Sequence, residues 1–113
     1  MHEVSMMQNT LDIAIAQAKQ SNASKIDRLT MNIGDLSGVI PEALEFAFEV
    51  LTKGTIAENA QLEINSIAVA CHCQKCDRDF QPEAYIYECP HCGQMSNDVI
   101  SGKELELDSV IIS

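Results

Sequence analysis

The chain has 113 residues, enough for one compact unit or one domain with a small appendage, and its core must rest on Leu, Ile, Val, Met and Ala because aromatics make up only 4% and Trp is absent. A formal net charge of −10 argues against nonspecific nucleic-acid binding, which depends on neutralising phosphates, and against docking on an anionic membrane. Cations and basic protein partners are compatible with it.

The chain opens without a basic n-region, and no stretch reaches the roughly 20 apolar residues of a membrane span. The expected compartment is the cytoplasm, where five cysteines point to metal ligation rather than to a disulfide framework.

The first three residues are Met1, His2 and Glu3. A large second residue preserves the initiator methionine and its α-amine. That amine, the backbone nitrogen of His2 and the His2 imidazole Nδ1 close adjacent chelate rings, and Glu3 supplies a fourth donor from its backbone nitrogen or its carboxylate. Four nitrogen-rich donors in a plane suit Ni(II) or Cu(II), whereas zinc gains nothing from planarity. On its own the tripeptide is weak evidence, and a solvated terminus is the plainer reading.

Val4, Met7, Leu11, Ala14, Ile15 and Ala18 then recur at spacings of three and four, one face of an amphipathic helix. Ser5 and Gln8 match a capping pattern, with a start one turn earlier as the alternative, and "QSNAS" closes the helix. "KIDRLTMNIG" reads as a strand ending at Gly34, with Ile26, Met31 and Ile33 inward and Leu29 out of step. After the loop "GDLSGVIP", Pro41 suits the first turn of a second helix. Leu44, Ala47, Phe48 and Leu51 are that helix's apolar stripe, Glu42, Glu45 and Glu49 its wet side, and Gly54 its stop. "QLEINSIAVA" reads as a second strand, and "KELELDSVIIS", with Leu105, Leu107, Val110 and Ile111, as a terminal strand that returns to the first sheet. The expected fold class is α+β, a small sheet packed on two helices with an inserted zinc-ribbon-like module. Residues 1–70, completed by 97–113, form the first unit and residues 71–96 the insertion.

The insertion holds all five cysteines. Cys73-Gln-Lys-Cys76 and Cys89-Pro-His-Cys92 are two C-x-x-C knuckles twelve residues apart, a spacing that sets four thiolates around zinc or a single iron. Gly93 fits a turn needing positive φ after the last ligand. Such a closed site leaves no position for substrate, so it is structural, and the segment needs it because Phe80, Tyr85, Ile86 and Tyr87 are its only bulk. Cys71 is expected as a buried thiol at a strand end, with zinc ligation as the alternative, and His72 and His91 as exposed neighbours of the ligands.

Taken together, the initial "MHE", the long first helix, "IGDLSGVIPEALEFAFEVL", the inserted "CQKC…CPHCG" and the closing "SGKELELDSVII" resemble the HypA/HybF family of hydrogenase nickel-incorporation proteins. The resemblance covers the whole chain. It implies nickel binding at Met1, His2 and Glu3, and structural zinc at Cys73, Cys76, Cys89 and Cys92. It also implies delivery of Ni(II) to the [NiFe]-hydrogenase large subunit with a HypB-type GTPase; some bacterial members also serve urease and its maturation proteins. Cys71 departs from the family's paired pattern. The competing readings are a zinc-ribbon interaction or nucleic-acid adaptor with an idle terminus, and a rubredoxin-like electron carrier with one iron on the four cysteines. An enzyme finds no support, since no nucleophile–base pair or phosphate loop is present.

Overall fold

Met7, Leu11, Ala14 and Ala18 are all fully buried at helical spacing, which gives α1 (His2–Gln20) one dry side. The computed structural model describes residues 2–83 and 86–113, with the backbone alone for His2. The helix starts at His2, so Ser5 lies exposed within it and caps nothing, and Val4 is half exposed rather than packed. Its other end is a Schellman reversal. Asn22 takes φ 59 and donates to Lys19 O (3.1 Å), and Ala23 donates to Ala18 O (2.9 Å).

β1 (Ile26–Gly34) is the central strand of a three-stranded sheet ordered β2-β1-β6. It pairs in parallel with β2 (Gln61–Ile67), and the parallel crossover is supplied by α2 (Pro41–Leu51) and the turns after it. Pro41 occupies the first turn, Leu44, Ala47 and Phe48 are buried, and Gly54 adopts φ +77 beyond the C-cap Thr52. Both helices pack on one face of the sheet. The other face carries a polar ladder in which Asn65 Nδ2 donates to Asn32 Oδ1 (3.1 Å), and Asn32 Nδ2 to Glu106 Oε1 (3.1 Å) and Asp108 Oδ1 (3.3 Å).

Two irregularities explain where strict alternation fails. The register of β1 against β6 (Leu105–Ile112) shifts between Ile26 and Arg28, which lets Ile26 and Leu29 be buried together despite their three-residue spacing. A second shift, between Thr30 and Met31, passes over Asp108 and moves the inward set of β6 from Leu107 to Val110 and Ile112. Ile111 is therefore turned outward, and Leu105, on the same face as Leu107, is exposed at the start of the strand, contrary to the sequence pattern, which enlisted both.

A second sheet, ordered β4-β3-β5, is inserted between β2 and β6. It comprises β3 (Ala70–Cys73), β4 (Arg78–Phe80) and β5 (Val99–Ser101). Sequence patterning had not shown β5. It is too short to display a period, and pairs antiparallel with β3 through Cys71 and Val99. Where the sheets meet, Gly34 lies directly against Gly102 and Gly102 against Val69, approaches that a Cβ would obstruct.

Candidate metal centres

β3 alternates, so Cys71 and Cys73 share its buried face, and a tight turn brings the chain back antiparallel as β4. Asp77, directly after Cys76, takes φ 56, and Gly93, directly after Cys92, takes φ 74. Each knuckle thus closes with a left-handed residue. The second is pinned by Gly93 N–H to Cys89 O (2.9 Å) and Cys89 N–H to Gln94 O (2.9 Å).

The two knuckles bring the sulfurs of Cys73, Cys76, Cys89 and Cys92 within 4.8 Å of one another. Cys73 and Cys92 are 3.6 Å apart, far beyond a disulfide bond and close to the edge of about 3.8 Å expected for a tetrahedron with metal–sulfur bonds of about 2.3 Å. Among the described residues this is the one cluster of three or more such groups able to hold a metal ion. The protons fit the same purpose. The Cys76 thiol is pushed up to about 12, first by its hydrogen bond with Cys92, then by burial and by Cys89 and Cys73. Burial opposes ionisation of Cys89, but the backbone amides of His91 and Cys92 and the thiols of Cys73 and Cys92 hydrogen-bond to it and bring it down to about 7. The Cys89 thiolate is thereby favoured and the Cys76 thiol held neutral, and a bound cation would replace the remaining protons.

Cys71 is not part of the cluster. It is fully buried in a small core with Phe80, Cys73 and Cys89, and burial, then the Asp98 carboxylate, raise its thiol. Phe80 is the buried aromatic of this small core and Tyr87 packs against the core, whereas Ile86 is 57% exposed; Tyr85 lies outside the described residues. His72 also departs from expectation. It is half-buried, its Nδ1 lying 2.7 Å from Asp79 Oδ1 and its Nε2 3.2 Å from Asp77 Oδ1. The hydrogen bond to Asp79 raises its pKa against the effect of burial, helped by the charges of Asp79, Asp77 and Asp98. His91 is exposed, with Nδ1 3.3 Å from Arg78 Nη1.

His2 is the first residue of α1 and Glu3 the second; Met1 and the His2 side chain lie outside the described residues. The Glu3 carboxylate is half-buried and accepts a hydrogen bond from the backbone N–H of Ile40 (3.3 Å), at the start of α2.

A family model described as hydrogenase/urease nickel incorporation, metallochaperone, HypA, matches residues 1–112. The chain belongs to the HypA family. The hydrogenase maturation factor HypA of Picosynechococcus sp. is 54% identical over 110 residues, covering 97% of both chains. That of Chloroflexus aggregans is 37% identical over 108 residues, covering 95% of both. Among solved structures, the Ni metallochaperone HypA from Helicobacter pylori has a TM-score of 0.68 at 29% identity, covering 99% of this chain and 97% of that one.

Within this HypA fold, the residues that sequence reasoning passed over are Asp77, Asp79 and Ile40. Asp77 was findable, because it follows its knuckle as Gly93 does and Asp tolerates left-handed backbone. Asp79 is set opposite His72 by the β3–β4 register, and Ile40 beside Glu3 by helix packing, neither of which leaves a local signal.

Proposed function

We propose that this HypA family member carries Ni(II) on Met1, His2 and Glu3 and surrenders it to an acceptor during hydrogenase maturation, while Zn(II) on Cys73, Cys76, Cys89 and Cys92 holds the inserted sheet together. One observation carries the nickel half within a nickel-incorporation family. α1 begins at His2, so the amide nitrogens of His2 and Glu3 precede the helical hydrogen-bond ladder and are available as donors. Donors at a chain end can also be replaced by incoming ligands one at a time. The zinc half rests on the close-set sulfurs, whose all-thiolate chemistry suits Zn(II) and whose closed set leaves no opening for cargo or substrate. The protein is then a carrier and not a catalyst.

Its partners on this reading are the [NiFe]-hydrogenase large subunit and a HypB-type GTPase, with urease maturation proteins as further recipients. No helix among the described residues is long and apolar enough to cross a membrane. Five free cysteines suit handover in the reducing cytoplasm. Nickel binding belongs to the unit expected at residues 1–70 with 97–113, and zinc binding to that expected at 71–96, to which β5 adds its edge.

The test is a Ni(II) titration of the zinc-loaded chain, native against a version extended by Gly-Ser at the N-terminus. One nickel per chain, abolished by the extension, is the expected result; equal binding by both forms overturns the assignment. The amine, imidazole and amide must shed protons, so affinity should fall as pH drops through about 8 to about 6.

A further inference from the structure

Glu3 stands at a junction of two helices. Its carboxylate belongs to α1, yet it accepts from Ile40 N–H, the N-cap amide of α2, where no side chain of α2's own end provides a cap. The next residue is Pro41, which has no N–H, while Ala43 and Leu44 already donate to Ile40 O (3.1 and 3.2 Å). Glu3 therefore satisfies one of the few open donors at this end, and its charge lies where the helix dipole favours an anion.

The stretch leading to Ile40 is anchored at the sheet junction behind and by the half-buried Val39 side chain, packed on the main core, in front. Asp35 N–H donates to Ile67 O (3.0 Å) and Leu36 N–H to Gly102 O (2.6 Å), fixing the loop to the sheet junction. Between Ser37 and Ile40 the chain holds itself by Val39 N–H to Ser37 Oγ (3.2 Å), and the Glu3 contact is its tie to α1.

The geometry points to Glu3 as a two-position residue that caps α2 through Ile40 when the chain is nickel-free and lets go when nickel is loaded. This rests on the nickel reading above. It holds where Glu3 serves as donor through its carboxylate, the group that caps Ile40. A side-chain oxygen on the metal leaves Ile40 directly. Loading is thereby registered at the start of α2 and in the loop from Ser37 to Ile40. Glu3 acts on α2 as a positioning residue, distinct from its place in the metal site.

The experiment is residue-resolved amide hydrogen exchange on the zinc-loaded full chain, alone and with one equivalent of nickel chloride, alongside nickel-free Glu3→Ala. Ile40 should exchange about tenfold faster in the nickel-loaded native chain and equally fast in nickel-free Glu3→Ala, as for loss of a hydrogen bond to a charged group. Leu29 and Met31, in the buried central strand, should be unchanged in both. If calorimetry shows nickel bound while Ile40 exchange stays the same, the switch is wrong and the nickel site stands. Unaltered Ile40 protection in Glu3→Ala removes the cap itself. If no nickel binds, the nickel reading falls and the switch with it.

Discussion

Gly34→Ala places a methyl group where two segments of backbone already touch. A Cβ at Gly34 would lie 2.1 Å from both the carbonyl carbon and the oxygen of Gly102 and 2.6 Å from Lys103 N. Carbon atoms in contact need about 3.5–4 Å, so β1 and the segment entering β6 must part by roughly 1.5 Å. They are held together there by Gly34 N–H to Glu104 O (2.8 Å) and Leu36 N–H to Gly102 O (2.6 Å). Losing two backbone hydrogen bonds costs about 2 kcal/mol, and overpacking adds about 1–3 kcal/mol, for a total of about 3–5 kcal/mol. For a chain of this size that lowers Tm by about 12–20 °C, taking about 4 °C per kcal/mol. The assay is thermal unfolding of the zinc-loaded variant followed by circular dichroism. Gly38→Ala is the comparison, since Gly38 has positive φ (+78) but open space around it, and should cost only about 1 kcal/mol. A Gly34→Ala variant within about 1 kcal/mol of the native protein would refute the packed-backbone reasoning.

Leu11→Ala, in the centre of the α1 face, should cost about 2–5 kcal/mol, whereas Phe46→Ala, 68% exposed on α2, should stay within about 0.5 kcal/mol by urea unfolding. Zinc binding at pH 7 should release the proton of Cys76, whose thiol is pushed up to about 12; calorimetry in buffers of different ionisation enthalpy would contradict this by finding no proton release. Chelating the zinc should abolish the ordered resonances of β3, β4 and β5 while leaving α1 and β1 folded, and simultaneous loss of both sheets would show them to be one cooperative unit. Asp79→Asn should lower the His72 pKa, read from its imidazole proton shifts. Because that pKa is raised in the folded chain, the stability it contributes is fully present below the unfolded value of about 6.5 and lost as pH rises through the folded one.

Much of this molecule is local, and local features are what a sequence displays. The knuckle spacing brings Cys73, Cys76, Cys89 and Cys92 together because two residues between thiols suffice to turn the chain onto a cation, whichever fold surrounds it. Helix periodicity marks the inward faces of α1 and α2 because their burial repeats every three or four residues. The family could be recognised from its motifs, and the comparisons bear that out. What only the tertiary structure decided depends on register and on contacts between distant segments. A single shift opposite Asp108 chose Ile112 over Ile111 for the core, since displacing a strand by one residue exchanges its faces. The β3–β4 pairing made His72 a carboxylate-bound imidazole rather than a free one, and the β3–β5 pairing revealed a strand too short to show a pattern. The Glu3–Ile40 contact joins residues 37 apart in the chain. It exists because two helices pack their N-terminal ends together, a fact no run of residues encodes by itself.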